Sequence, residues 1–323
     1  MNRLFPKQNL LSFCLLCFLM SQDFGLQLQA LPPSAKQLAI LVNGKLLVKT
    51  TGSFKQLYVG VTSYQIEGNR IGVISNGNLY IREGSGKFLL QHINVKSFQL
   101  AGTRIGVLTT DGVFEVKDGA LASNTWNTQD QHVRSFQLNG NRIGWLTANG
   151  DCRAREGTSG KVWPEYAGVR SFQLFGNRLG VLLEGGVLEC KDGGLDAGWW
   201  PEHPIVSSFA LTDNRVAVVL ADGRLRAKEG QLNDLWSDLA GNVKLVQMNG
   251  NRIGILNTAG QVFVNDGPIT SGFQHEADNA TAFSILDTRI GVLLDNGNFE
   301  VKDGSITATF VPEYSGVNSF QLD

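Results

Sequence analysis

The sequence predicts an all-β protein: a closed β-propeller of about eight short four-stranded blades, the last of them completed by both chain ends. Three observations carry this prediction. One stretch recurs along the chain, typified by Val133-Arg-Ser-Phe-Gln-Leu-Asn-Gly-Asn-Arg-Ile-Gly-Trp-Leu-Thr-Ala-Asn-Gly-Asp-Cys-Arg-Ala-Arg-Glu-Gly157. Its central arginine returns at Arg70, Arg104, Arg142, Arg178, Arg215, Arg252 and Arg289, with gaps of 34, 38, 36, 37, 37 and 37 residues, and a fixed period in this range marks a repeat architecture. Each repeat also carries tight-turn signals between short apolar runs, and the two chain ends are complementary fragments of one repeat.

Within a repeat the first strand is read from Phe98-Gln-Leu100, and Ala101-Gly102 turns it into the second. Second strands such as Arg104-Ile-Gly-Val-Leu108 do not alternate apolar with polar residues, so both faces are expected to be covered. Asn76-Gly77, Asp111-Gly112, Asn149-Gly150, Asp222-Gly223 and Asn296-Gly297 then mark a hairpin into the third strand. A glycine closes that strand in every repeat, at Gly84, Gly119, Gly157, Gly193, Gly230, Gly267 and Gly304. The fourth segment is shorter and more variable. Six or seven residues past the closing glycine it holds a large apolar side chain: Leu90, Trp126, Trp163, Trp199 or Trp200, Trp236, Phe273 and Phe310.

A small residue recurs in the middle of the second strand, at Gly72, Gly106, Gly144, Gly180, Ala217, Gly254 and Gly291. Glycine weakens a strand unless another group approaches closely. Each position is therefore expected to receive the aromatic residue of an adjoining blade's first strand, from Tyr64, Phe98, Phe136, Phe172, Phe209 and Phe283. Closure follows from the ends. The chain finishes on Val317-Asn-Ser-Phe-Gln-Leu-Asp323, a first strand alone, and begins, after a leader, with Leu38 to Gly52, the second and third strands of a repeat lacking its first. An open solenoid needs polar caps, not complementary ends.

The chain divides into a leader over residues 1–30, a short linker over 31–36 and one propeller domain over 37–323. The leader has Arg3 and Lys7, then an apolar core from Leu10 to Met20, which is too short for a helix that spans a bilayer but suits a signal peptide ending near Ala30. The mature chain is expected to be secreted (or periplasmic in a bacterium), with no membrane insertion. Glycine, 38 of 323 residues, is abundant because tight turns are. A net charge of −1 argues against a nucleic-acid partner. Cys152 and Cys190 fall on third strands of adjacent blades and are expected to be two buried small side chains, not a bridge.

Candidate chemistry is sparse. The repeated arginine and the repeated acid (Glu83, Asp118, Glu156, Asp192, Glu229, Asp266, Asp303) lie opposite each other across the second hairpin. Cross-strand ion pairs that set register, worth roughly 0.2–1 kcal/mol each, account for them more simply than a ring of charged sites does. The tryptophans admit two readings, filling of outer gaps between blades and stacking against sugar rings. His92, His132, His203 and His275 have no ligand-spaced partner, and no nucleophile elbow or triad is evident. No enzymatic activity, metal or cofactor is expected.

The order of Trp, Gly-Val, an apolar strand ending in Gly and a basic-acidic-Gly close, as in Trp163-Pro-Glu-Tyr-Ala-Gly-Val-Arg-Ser-Phe-Gln-Leu-Phe-Gly176 through Cys190-Lys-Asp-Gly193, resembles the tectonin repeat. The likeness runs from Gln37 to Asp323, with Arg-Ile-Gly standing where that family usually has a second-strand Trp. It implies a multivalent lectin that recognises surface glycans or bacterial surface polysaccharide in clefts between blades. The candidate glycan-binding residues are Trp126, Trp163, Trp200, Trp236, Asp118, Glu156, Asp192 and Glu229. The alternative is a non-catalytic extracellular scaffold that binds proteins by the loops of one rim.

Overall fold

A computed structural model describes residues 36–323; the leader, with Cys14 and Cys17, and the linker up to residue 35 lie outside the described residues. The chain forms eight four-stranded antiparallel sheets. Seven are built from consecutive strands, over residues 61–92, 95–130, 133–166, 169–203, 206–240, 243–277 and 280–314, which we number blades 2 to 8. Blade 1 takes its three outer strands, Leu38–Val42, Lys45–Lys49 and Lys55–Val59, from the start of the domain and its innermost strand, Ser319–Leu322, from the end. Ile40 opposes Phe320 and Leu38 opposes Leu322 across this closure. The ring expected from the complementary ends is therefore present.

Second strands are buried on both faces, as their unbroken apolar runs require; all six residues of Arg70–Ser75, Arg104–Thr109, Arg142–Thr147 and Arg215–Leu220 are buried. The mid-strand glycines explain how the blades sit so close. A Cβ added to Gly72 would lie 2.4 Å from Phe98 of the next blade, and Gly106, Gly144, Gly180, Gly254 and Gly291 meet Phe136, Phe172, Phe209, Phe283 and Phe320 in the same way. Blade 6 departs from this: its Ala217 shares a buried cluster with Val246, where the other blades present an aromatic ring. In blade 1 the equivalent residue is Ala39, whose carbonyl lies 3.4 Å from the Tyr64 hydroxyl. Large side chain and small residue trade volume across the seam.

A second device ties the innermost strands together. Gln65 accepts from Leu100 N–H at 2.7 Å and donates to Leu100 C=O at 3.1 Å. Gln99 holds Leu138 in the same two-bond manner, and Gln321 holds Ile66, which carries the belt across the closure. These amides satisfy edge groups that no in-blade neighbour can reach.

Candidate binding seams between blades

The repeated arginine and acid are in register: Arg70 opposes Glu83, Arg142 Glu156, Arg178 Asp192, Arg215 Glu229, Arg252 Asp266 and Arg289 Asp303. Arg104 binds Asp118 through Nε and Nη2 at 2.7 and 2.9 Å. The guanidinium also reaches the next blade, which the sequence does not reveal. Arg70 donates to Thr103 C=O and Gly119 C=O, both at 2.8 Å, and Arg215 to Asn251 C=O at 2.7 Å and Gly267 C=O at 2.6 Å. Arg289 closes the ring by donating to Gln37 C=O at 3.1 Å. Each acid thus anchors an arginine that staples two blades. The carboxylates of Asp118, Glu156, Asp192 and Glu229 nonetheless keep 44, 55, 38 and 33 % of their surface exposed.

One register earlier on the third strand lies a buried cation. Lys191 pairs with Glu165 of the preceding blade and Lys302 with Glu276, while Lys228 meets Glu202 at 2.5 Å. Lys49 makes the same contact with Glu313 at 2.5 Å. Burial lifts the Glu165, Glu202 and Glu276 carboxyls above the ordinary range, against the pull of their lysines. Where Lys117 faces Gln91 and Arg155 faces Gln129 the charge pair becomes a hydrogen bond, and Leu239 occupies the acid's position opposite Asn265.

The aromatic at the foot of the outer strand covers this cation. Lys117 lies 5.2 Å from the Trp126 ring, Lys191 5.1 Å from Trp199, Lys228 5.1 Å from Trp236 and Lys302 5.0 Å from Phe310. Phe54 and Phe88 hold the same place beside Lys49 and Arg82. Counting from the closing glycine mixes three registers, because the intervening loops differ in length, and Leu90 falls two residues past Phe88. Trp163 and Trp200 sit one residue past the covering position, paired with Ala154 and Cys190, and so face the following blade.

The candidate residues therefore gather by seam, not by blade. Between blades 4 and 5 the seam receives Glu156 and Trp163 from one side and Trp199 from the other; between blades 5 and 6 it receives Asp192 and Trp200, then Trp236. Trp126, Asp118 and Glu229 each occupy a different seam. Trp200 is 47 % exposed, and Lys161 Nζ lies 3.1 Å from the centre of the Trp163 ring. Polar neighbours flank the inner tryptophans. Tyr166 packs edge-on against Trp199 and donates to Glu189 at 2.8 Å; His203 packs edge-on against Trp236, its Nε2 accepting from Arg226 at 3.1 Å. His92, on Trp126, meets Glu115 at 2.8 Å. Trp199, His203 and Arg226 are not among the candidate glycan-binding residues read from the sequence, since their roles depend on the neighbouring blade.

Trp145 is fully buried, and Cys152 and Cys190 are free and buried. Among the described residues no helix is long and apolar enough to cross a membrane, and no three His, Cys, Asp or Glu side chains are grouped to hold a metal ion.

Fold and seams define an eight-bladed β-propeller closed by pairing of its first and last described strands. Its fold is similar to that of apo AztD from Citrobacter koseri, with a TM-score of 0.63 and 11 % identity over 90 % of this chain and 98 % of that one. It is also similar to BamB from Moraxella catarrhalis (TM-score 0.61, 16 % identity, 86 % and 94 % covered) and to the computationally designed Ika8 protein (0.59, 15 %, 81 % and 86 %). At these identities the likeness is one of fold. No protein-family profile and no curated sequence matches the chain.

Proposed function

We propose that the chain is a secreted, non-catalytic carbohydrate-binding propeller of the tectonin type, which takes surface glycans or bacterial polysaccharide in the seams flanking blade 5. One observation carries this reading: each of those seams is faced by two tryptophans, one from each blade, beside polar side chains already fixed in place. Trp163 and Trp199 face the first, Trp200 and Trp236 the second. An indole offers a sugar's C–H face a flat apolar surface, and preset donors and acceptors fix its hydroxyls. Two neighbouring seams on a rigid ring engage a repeating polymer with an avidity that neither has alone.

The mature chain should retain a subset of glycans on an array, and Trp200→Ala, which leaves only the Trp163 seam, should weaken that signal sharply while leaving the melting temperature close to the parent's, since Trp200 is half-exposed. Retention by Trp200→Ala and Trp236→Ala at the parent's level, or an array without any bound glycan, refutes the assignment.

A further inference from the structure

The seam tryptophans and the repeated acids occupy the rim where the third strands end. The opposite rim carries a different surface, formed by the loops that lead from one blade's outer strand to the next blade's innermost strand. In every one of these loops one residue has a left-handed backbone, directly before the new strand at Gly60, Asn94, His132, Gly168, Ile205, Asn242 and Asn279 and three residues before it at Gly316, with φ between 50° and 75°. Glycine, asparagine and histidine tolerate this conformation, whereas a β-branched residue there is an outlier. Ile205 adopts it at φ 64° and is also 58 % exposed. The position is thus penalised twice, by strain and by apolar exposure, and seven equivalent loops show that the ring needs neither. Two further loop tips on the same side of the ring expose aliphatic side chains, Val59 and Ile93, each at 54 %. The loops entering blades 7, 8 and 1 carry Gly241, Asp278 and Ser315 at the matching place.

The charge on this rim is equally uneven. One residue into each innermost strand of blades 2 to 8 a bulge releases a side chain from the ladder: Thr62, Lys96, Arg134, Arg170, Ser207, Lys244 and Thr281. Four of the seven are basic, and none is acidic. Lys96, Arg134 and Arg170 belong to three consecutive blades, and the arc they form is bracketed by Ile93 at its start and Ile205 at its end. Arg170 donates to Val206 C=O and Ser207 C=O at 3.1 and 2.8 Å, which sets its guanidinium beside Ile205. Arg134 donates to Val169 C=O and Arg170 C=O at 2.7 and 2.6 Å. The acids on this side lie in the turns between second and third strands and at the ends of outer strands, where Asp130 is held by Arg153 at 2.8 Å and Asp278 lies 3.1 Å from His275. Asp222 is held by Arg224 at 2.7 Å, Asp151 lies 3.7 Å from Arg153, Asp111 accepts from the Thr109 hydroxyl, and Glu184 stands 3.9 Å from Arg134. Among the described residues Lys96 and Arg170 have no acid within ion-pair distance.

We propose that this arc, from Ile93 through Lys96, Arg134 and Arg170 to Ile205, is a docking surface for an acidic protein segment bearing aliphatic side chains. Carboxylates of the segment meet Lys96 and Arg170, which no acid of the ring opposes, with Arg134 and its distant partner Glu184 between them, and its aliphatic groups cover Ile93 and Ile205, the same exposure that makes these residues costly to the free ring. The surface is independent of the glycan reading, because it shares no residue with the seams.

The test uses a fluorescent synthetic peptide of alternating Glu and Leu, followed by anisotropy at low ionic strength, with an all-Glu peptide, a Lys-Leu peptide and heparin as comparison probes. The Glu-Leu peptide should bind, the Lys-Leu peptide should not, and Lys96→Glu with Arg170→Glu should weaken binding by roughly tenfold or more. Ile205→Asn gives a double signature: the melting temperature rises, because asparagine accepts the left-handed backbone, while peptide affinity falls several-fold. Equal binding by the charge-reversed variant, or an Ile205→Asn variant that is no more stable and binds as the parent does, overturns the proposal. Tighter binding of heparin or all-Glu peptide, unaffected by Ile205→Asn, overturns it in favour of a general polyanion site.

Discussion

Converting the contact between blades 2 and 3 into the one found between blades 6 and 7 tests the packing rule that closes the ring. Gly72→Ala places a methyl carbon 2.4 Å from Phe98 Cε2 and 2.8 Å from Cζ, against about 3.5–4.0 Å for carbons in ordinary contact. The ring end must withdraw by about 1 Å within a core that leaves Phe98 only 2 % exposed. Overpacking of this kind costs about 1–3 kcal/mol. Phe98→Val removes the ring end and leaves a void at a cost of about 2–3 kcal/mol. Together the two substitutions reproduce the Ala217 and Val246 pairing that the chain already uses. The alanine methyl then enters space the ring has vacated, so the double variant should be more stable than the sum of the single losses by about 1 kcal/mol or more. Equilibrium urea unfolding of the four proteins reads this directly. Single losses that add within about 0.5 kcal/mol, or a Gly72→Ala variant as stable as the parent, would show that the glycines are not there to admit the aromatics.

Two other expectations bear on closure. Deleting residues 317–323 removes the innermost strand of blade 1, the Phe320 ring against Gly291 and both Gln321 bonds to Ile66, so the melting temperature should fall by well over about two degrees; a smaller change would mean that the ends do not bear the closure. Glu67, beside that seam, accepts from Gly102 N–H at 3.4 Å, and burial, with Asp323 nearby, pushes its carboxyl up to about 7. A folded-state pKa above the unfolded value contributes stability that is fully present below about 4.5 and is lost as pH rises through about 7, to a total of at most about 3 kcal/mol. Glu67→Gln should therefore melt higher than the parent at pH 8 and lose that advantage by about pH 5; a constant offset across this range would remove the carboxyl as its cause.

Contacts inside one repeat were legible because hairpin turns fix register. The turn at Asn76-Gly77 dictates that Arg70 faces Glu83, and a glycine kept in the middle of a strand announces a close neighbour. Contacts between repeats were legible only where a missing side chain marks a socket, as the mid-strand glycines did for the first-strand aromatics of the next blade; for polar groups nothing in a linear pattern says which residue of one blade meets which of the next. The arginine's bonds to Thr103 and Gly119, the glutamine belt and the Lys191–Glu165 pair are all of this kind. The chain does hold a signal for them in the way its own repeats vary together. Ala217 appears where the facing aromatic has become Val246, and Leu239 replaces the acid opposite Asn265, where the lysine is missing.

The same covariation separates what the seams need for assembly from what they offer a ligand. The acid occurs only where a lysine meets it, so the first task of the pair is to join blades; an acid left without its lysine would be a buried, unpaired charge. Trp163 and Trp200 belong to no such set. Their register position holds Leu89, Asn127, Ser237, Gln274, Val311 and Lys55 in the other blades, paired with a third strand that is complete without them. Trp200 also remains 47 % exposed. A large indole confined to two adjacent blades, at a site where asparagine, serine or lysine serves elsewhere, contributes little that the ring requires. The tryptophans at the inner register, Trp126, Trp199 and Trp236, are explained by the cations beneath them. Those at the outer register have no such buried partner, so the weight of the proposed carbohydrate reading falls on Trp163 and Trp200.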